Sequence, residues 1–172
     1  MAEIEDDTAN ALWLPSHALA CYAGDALLRS WLLTPGLLTE RLRATCGTRL
    51  RIERAPERDV GTERRREVAM LCRERLWVFA RTRIPHSTLA AAQWLGEIGD
   101  TPLGEAVAAR RDVQRSPFEY AQLTSEHDVV AAALRRAGCH AQSLWVRRST
   151  FTTAGGPFYL QEVFLPDVGR GV

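Results

Sequence analysis

The chain has 172 residues with 22 basic and 21 acidic side chains, a formal net charge of +1. That length fits one domain able to bury a core without disulfide or metal staples, and 46% hydrophobic with 25% charged residues excludes a disordered chain. Near-neutral charge argues against a nucleic-acid partner. No stretch approaches the ~20 apolar residues of a membrane span, and the acidic residues 1–10 lack signal-peptide regions, so a cytoplasmic protein is expected.

From the N-terminus, residues 1–15 carry no clear periodicity and are expected to be a loosely ordered start to a single domain spanning 1–172. Residues 18–33 have helical spacing and stop before Thr34-Pro35-Gly36. Residues 37–46 read as a second short helix ended by Gly47, so the two form a helical hairpin. Residues 48–57 are strand-like. Residues 66–73 and 76–84 read as two strands joined by a tight turn near Glu74 and Arg75, with Pro85 ending the second. A short helix over 87–95 precedes the breakers Gly96, Gly99 and Pro102, and Pro102 opens another running to about 110. Residues 112–123 form a strand interrupted by Pro117, which suits an edge or bulge. Ser125 is placed to cap a helix through Arg136, closed by Gly138. Residues 144–152 and 158–165 flank Ala154-Gly155-Gly156 and read as a hairpin. The fold class is α+β, a six-stranded antiparallel sheet with helices packed on it.

Every basic residue is arginine, which excludes lysine Schiff-base chemistry and a phosphate loop with its lysine. Any bound anion must be met by arginine, histidine or backbone amides. Cys21, Cys46, Cys72 and Cys139 show no CxxC spacing and read as small apolar residues in a reducing compartment. The four histidines show no metal-binding spacing, and no metal or cofactor is expected.

Strand alternation draws attention to certain polar groups. Phe158, Leu160, Glu162 and Phe164 share one face, which puts a carboxyl group among large apolar neighbours. Arg66, Val68, Met70 and Cys72 share another, begun by an arginine. If these faces are buried, each charge needs a partner. If they are solvated, Tyr159, Val163 and Leu165 point inward instead, and Arg66 is part of the exposed basic run 64–66. Trp77, Phe79, Arg81 and Arg83 alternate onto a third face, and of Arg147 and Arg148 at most one faces the core. A glutamate and one or more arginines converging on an apolar cavity suit a small, rigid, anionic molecule with a polar far end.

Several short blocks in fixed order resemble the chorismate pyruvate-lyase, or 4-hydroxybenzoate synthase, family. They are Ser30-Trp31-Leu32-Leu33, Leu38-Thr39-x-Arg41, Arg66-Glu67-Val68, Ala80-Arg81-Thr82 with Pro85 and Ser87-Thr88-Leu89, Leu95-Gly96, and Thr101-Pro102-Leu103-Gly104. Leu144-Trp145-x-Arg147-Arg148-Ser149, Pro157 and Glu162-x-Phe164-Leu165-Pro166 complete them. The resemblance spans about 31–166. It implies an antiparallel sheet with helical flaps over a buried ligand, and conversion of chorismate to 4-hydroxybenzoate and pyruvate without a cofactor. It maps the arginine that holds the product carboxylate to Arg66, backbone contacts to the segments around Leu38 and Leu103, and the glutamate at the hydroxyl end to Glu162. Arg66 and Glu162 are therefore the expected catalytic residues, with Arg81 or Arg148 as candidates for the enolpyruvyl carboxylate. Leu38 departs from the family's methionine, and the segment between Gly104 and Leu144 is longer than in the family, its extra length being the helix 125–136. The competing readings are a non-catalytic effector domain that binds small carboxylic acids and another chorismate-converting enzyme. A monomer is expected, and the pathway, quinone or specialised metabolism, stays open.

Overall fold

A computed structural model of the chain describes residues 7–171. The class is α+β as expected, but the sheet has nine strands rather than six. Its main path runs β1 (Leu14–Pro15), β7 (Glu119–Thr124), β8 (Ser143–Thr153), β9 (Gly156–Phe164), β5 (Arg75–Pro85), β4 (Glu63–Cys72) and β2 (Leu50–Arg54), every pairing antiparallel. Two short strands complete it: β3 (Arg58–Val60) on β4, and β6 (Gln114–Arg115) on β8. Of the three additional strands, β1 and β3 have two and three residues, too few for alternation to register, and the third arises from the division of an expected one. The single strand expected over 112–123 is β6 and β7, separated at Ser116-Pro117, where proline supplies no N–H for the ladder.

Both faces of the sheet are covered, so the choice between a buried and a solvated Glu162 face does not arise. On one face lie α1 (Leu19–Tyr22), α2 (Ala26–Leu32) and α3 (Leu38–Cys46). Trp31, Leu32 and Leu42 there pack against Val68, Met70, Trp77 and Phe164. On the other lies α6 (Asp128–Ala137), whose Val129, Val130 and Ala133 pack on Phe79, Val146, Val163 and Leu165. A third cluster at one end joins α4 (His86–Ala91) and α5 (Leu103–Ala108) to stacked Phe151 and Phe158, 4.9 Å between centroids.

The helix expected over 18–33 breaks at Ala23-Gly24-Asp25, because the Asp25 carboxylate caps a new helix by accepting from the Leu27 and Leu28 N–H groups. Ser125 does not cap α6: His127 occupies that position without a side-chain capping bond, and the Asp128 N–H donates to Asp7 instead. The hairpin turn between β4 and β5 is Arg73-Glu74, both at positive φ, rather than Glu74-Arg75. Trp77 does not share a face with Phe79, because a bulge between Met70 and Leu71 shifts the register and turns Trp77 toward Trp31, 5.6 Å away edge-on.

Cys46 and Cys72 were expected to be free thiols, but they form a disulfide with a Cα–Cα distance of 5.8 Å. Gly47 ends α3 at positive φ and returns the chain into β2, where Leu50 pairs with Cys72, so the turn itself brings the cysteines together. Cys21 is free and exposed. Within residues 7–15, β1 pairs with β7, the Trp13 indole N–H donates to the Thr8 carbonyl, and the Gln161 amide donates to the buried Thr8 hydroxyl. The expectation for residues 1–6 lies outside the described residues.

Candidate active site

Between α3, α5 and the sheet is a cavity whose floor follows from strand pairing. Arg66 on β4 stands opposite Thr82 on β5, which stands opposite Leu160 on β9. In the next row of this face, Val68 pairs with Ala80 and Ala80 with Glu162, which pairs with Arg147 on β8. All of these line the cavity. The small side chains of Ala80 and Thr82 at the centre leave the space, while Val78 and Ile84 to either side fill theirs. Arg66 and Glu162 are two strands and two residues apart. At ~4.8 Å per strand and ~3.4 Å per residue their Cα atoms lie roughly 12 Å apart. Side chains reaching inward from that distance can grip the two ends of one six-membered ring.

Arg66 is 3% exposed. Its Nη2 donates to the carbonyls of Gly99 and Thr101, both at 3.0 Å, which ties the loop before α5 to the sheet. Its Nε is buried without a hydrogen-bond acceptor, 3.8 Å from a Glu57 oxygen. Burial lowers the guanidinium pKa, with Glu57 opposing the shift. A buried donor without an acceptor costs ~1–3 kcal/mol, so this N–H is left for an acceptor that a ligand can supply.

Glu162 at the other end is 5% exposed and Arg147 is 1% exposed. Arg147 Nε donates to Glu162 Oε2 at 2.5 Å, and its Nη1 donates to the Leu32 carbonyl at 3.0 Å. Its guanidinium also sits over the rings of Phe118 and Phe164, at 4.2 and 5.4 Å. Arg147 therefore fixes the carboxylate by one oxygen only.

The roof is built from the first turns of α3 and α5. Leu38 and Leu103 begin these helices and line the cavity, at positions whose N–H groups have no acceptor within the helix. The two first turns also touch each other. A Cβ on Gly104 would meet Leu37 at 3.0 Å, Thr39 Oγ1 donates to Glu105, and Arg43 pairs with Glu105.

Four of the expected site residues, Arg66, Glu162, Leu38 and Leu103, thus line one cavity. Arg81 and Arg148 do not. Arg81 is on the α6 face of the sheet, paired with Glu67 at 2.6 Å and Asp128 at 2.9 Å. Arg148 points away from the cavity, donating to Glu119 at 3.0 Å and stacked on Trp13. The arginines that do line the cavity besides Arg66 are Arg147 and Arg115. Alternation allowed one member of the 147–148 pair to face inward without saying which. The register Arg147–Glu162 decides it. Arg115 lies on a two-residue strand and gave no signal.

The family model described as Chorismate lyase matches residues 8–169. A probable chorismate pyruvate-lyase of Methylococcus capsulatus is 34% identical over 157 residues, which are 82% of this chain and 96% of that protein. The probable chorismate pyruvate-lyase of Thiobacillus denitrificans is 34% identical over 170 residues, 90% of this chain and 88% of the relative. Among solved structures, a GntR-family transcriptional regulator from Bacillus cereus aligns with 73% of this chain and 97% of its own at TM-score 0.48 and 9% identity. The chain belongs to the chorismate lyase family, and as a member of it is an enzyme acting on a small molecule. The family match does not favour the effector-domain reading. Among the described residues no helix is long and apolar enough to cross a membrane.

Proposed function

We propose that the chain eliminates pyruvate from chorismate to give 4-hydroxybenzoate, with the substrate ring held between Arg66 and Glu162. The observation that carries this reading is the placing of an arginine with an unmet donor and a glutamate with one free oxygen at opposite ends of a single apolar cavity. Chorismate is a rigid ring with a carboxylate at one end and a hydroxyl at the other. Arg66 receives the ring carboxylate, joined by backbone N–H groups of the first turns at Leu38 and Leu103. Glu162 accepts from the ring hydroxyl through the oxygen that Arg147 leaves free.

In the reaction the ether C–O bond breaks and its electron pair leaves with the enolpyruvyl oxygen. The hydrogen on the hydroxyl-bearing carbon is lost, and the ring becomes aromatic. The released enolpyruvate gains a proton on its methylene carbon and becomes pyruvate; the ring hydrogen reaches it within the substrate or through a base, for which Glu162 is the candidate. Aromatisation supplies the driving force, so the protein's contribution is orientation and charge compensation. A roof formed by two helix ends must open for release, and the product keeps both its carboxylate and its hydroxyl contact. Opening of the α3–α5 roof therefore limits turnover, and 4-hydroxybenzoate inhibits.

The test is incubation of the purified protein with chorismate. The expected result is 4-hydroxybenzoate and pyruvate in equal amounts. Unchanged chorismate, or a rearranged product without pyruvate, overturns the proposal.

A further inference from the structure

The charges lining the cavity are unequal in their partners. Glu162 is matched by Arg147, and Arg66 is held by two carbonyls with Glu57 nearby. Arg115 is the remaining cation on the cavity wall. Among the described residues it makes no ion pair. Its guanidinium instead lies 4.4 Å from the centroid of Phe118, the ring that Arg147 also meets at 4.2 Å. Arg115 is exposed, so it stands where the cavity opens to solvent.

Its position is fixed by the backbone. Arg115 pairs with Phe151 of β8, itself a cavity residue, so the two side chains share a face. The next residue, Ser116, is bound twice to Thr150: its N–H donates to the carbonyl at 2.8 Å, and its hydroxyl accepts from the N–H at 2.9 Å. Pro117 then restricts the chain before Phe118. The backbone that carries Arg115 is thereby held, and the contact that positions its guanidinium is the Phe118 ring at 4.4 Å.

We propose that Arg115 is a specificity residue that receives the second carboxylate of the substrate, the one carried on the enolpyruvyl side chain. This rests on the lyase reading above. Chorismate carries two carboxylates and 4-hydroxybenzoate carries one. With Arg66 engaged by the ring carboxylate and Arg147 by Glu162, the side-chain carboxylate meets Arg115 as the one cavity cation without a carboxylate partner. That contact exists in the substrate and in departing pyruvate, but not in the aromatic product. Arg115 therefore favours the dianion over the product that would compete with it, and it leaves the α3–α5 roof free to open once pyruvate is gone.

The experiment compares the parent with Arg115→Ala and Arg115→Lys. It measures kcat and KM for chorismate and, separately, the Kd of 4-hydroxybenzoate. A charge-assisted contact is worth ~1.5–3 kcal/mol, so Arg115→Ala is expected to lower kcat/KM by about tenfold to a hundredfold. The Kd of 4-hydroxybenzoate stays within twofold of the parent, which also shows that the variant is folded, and Arg115→Lys recovers part of the loss. Turnover of chorismate by Arg115→Ala at the parent's kcat/KM overturns the assignment while leaving the lyase reading intact. Equal losses toward chorismate and 4-hydroxybenzoate also overturn it, because they show a role common to both. A parent protein that does not convert chorismate removes the lyase reading and this inference together.

Discussion

The buried pair Arg147–Glu162 makes the Glu162→Ala substitution a test of folding as well as of chemistry. Removing one partner of a buried ion pair leaves the other charge uncompensated and typically costs ~3–5 kcal/mol. Arg147 is 1% exposed, so it cannot turn to water for compensation. It does keep the Leu32 carbonyl at 3.0 Å and the faces of Phe118 and Phe164. These place the cost at the lower end, about 3 kcal/mol. In a domain of this size that lowers the midpoint of thermal unfolding by roughly 6–12 °C. Glu162→Gln keeps the shape and an acceptor for Arg147, and is expected to cost less. Glu162→Gln combined with Arg147→Met removes both charges and recovers much of the loss, which a double-mutant cycle in urea measures directly. Chorismate turnover, assayed well below each midpoint, then separates the two chemical roles. If Glu162 orients the hydroxyl, Gln retains far more activity than Ala. If it accepts the ring proton, both are nearly inactive. A Glu162→Ala protein within 1 kcal/mol of the parent would refute the buried-pair reasoning. One that also turns over chorismate and binds 4-hydroxybenzoate as the parent does refutes the site.

Arg66→Ala removes the ring-carboxylate partner and also releases the loop at Gly99 and Thr101. It is expected to cost ~2–5 kcal/mol in kcat/KM, with Arg66→Lys rescuing only partly because lysine lacks the planar fork; normal turnover by the alanine variant removes Arg66 from the site. Reducing the Cys46–Cys72 bond, which closes a loop of 26 residues, or replacing both cysteines with serine lowers stability by about 3.5 kcal/mol on the chain-entropy account. An unchanged urea midpoint after reduction contradicts this. Asp128 is partly buried, which by itself raises its pKa, but Arg81 and Arg65 outweigh that and hold it below the ordinary 3.8. Its contribution to stability is therefore present above the ordinary value and is lost as the pH falls through the lower folded value. Asp128→Asn should flatten the acid limb of a stability–pH curve below pH ~4, and an unchanged limb rules the residue out as a source of acid sensitivity.

The sequence by itself determined the α+β class, the long strands and which side chains share their faces, because alternation over ten residues is a property of the local chain. It singled out Arg66 and Glu162 for the same reason: each is a charge in an otherwise apolar row. The ordered motif blocks determined the family. Local pattern could not count the short strands, and so Arg115, carried on one of them, was invisible. Nor could it say which of two adjacent arginines faces inward. The pairing of β8 with β9 sets Arg147 beside Glu162 and sends Arg148 and Arg81 to the other side of the sheet, where carboxylates of β7, β4 and α6 meet them. The disulfide was hidden likewise, since only the return of the chain through Gly47 brings Cys46 within reach of Cys72. What the tertiary structure alone decided is which charges are neutralised by the protein and which are left for a ligand. That depends on register and on the elements covering each face, and neither is written in any single segment.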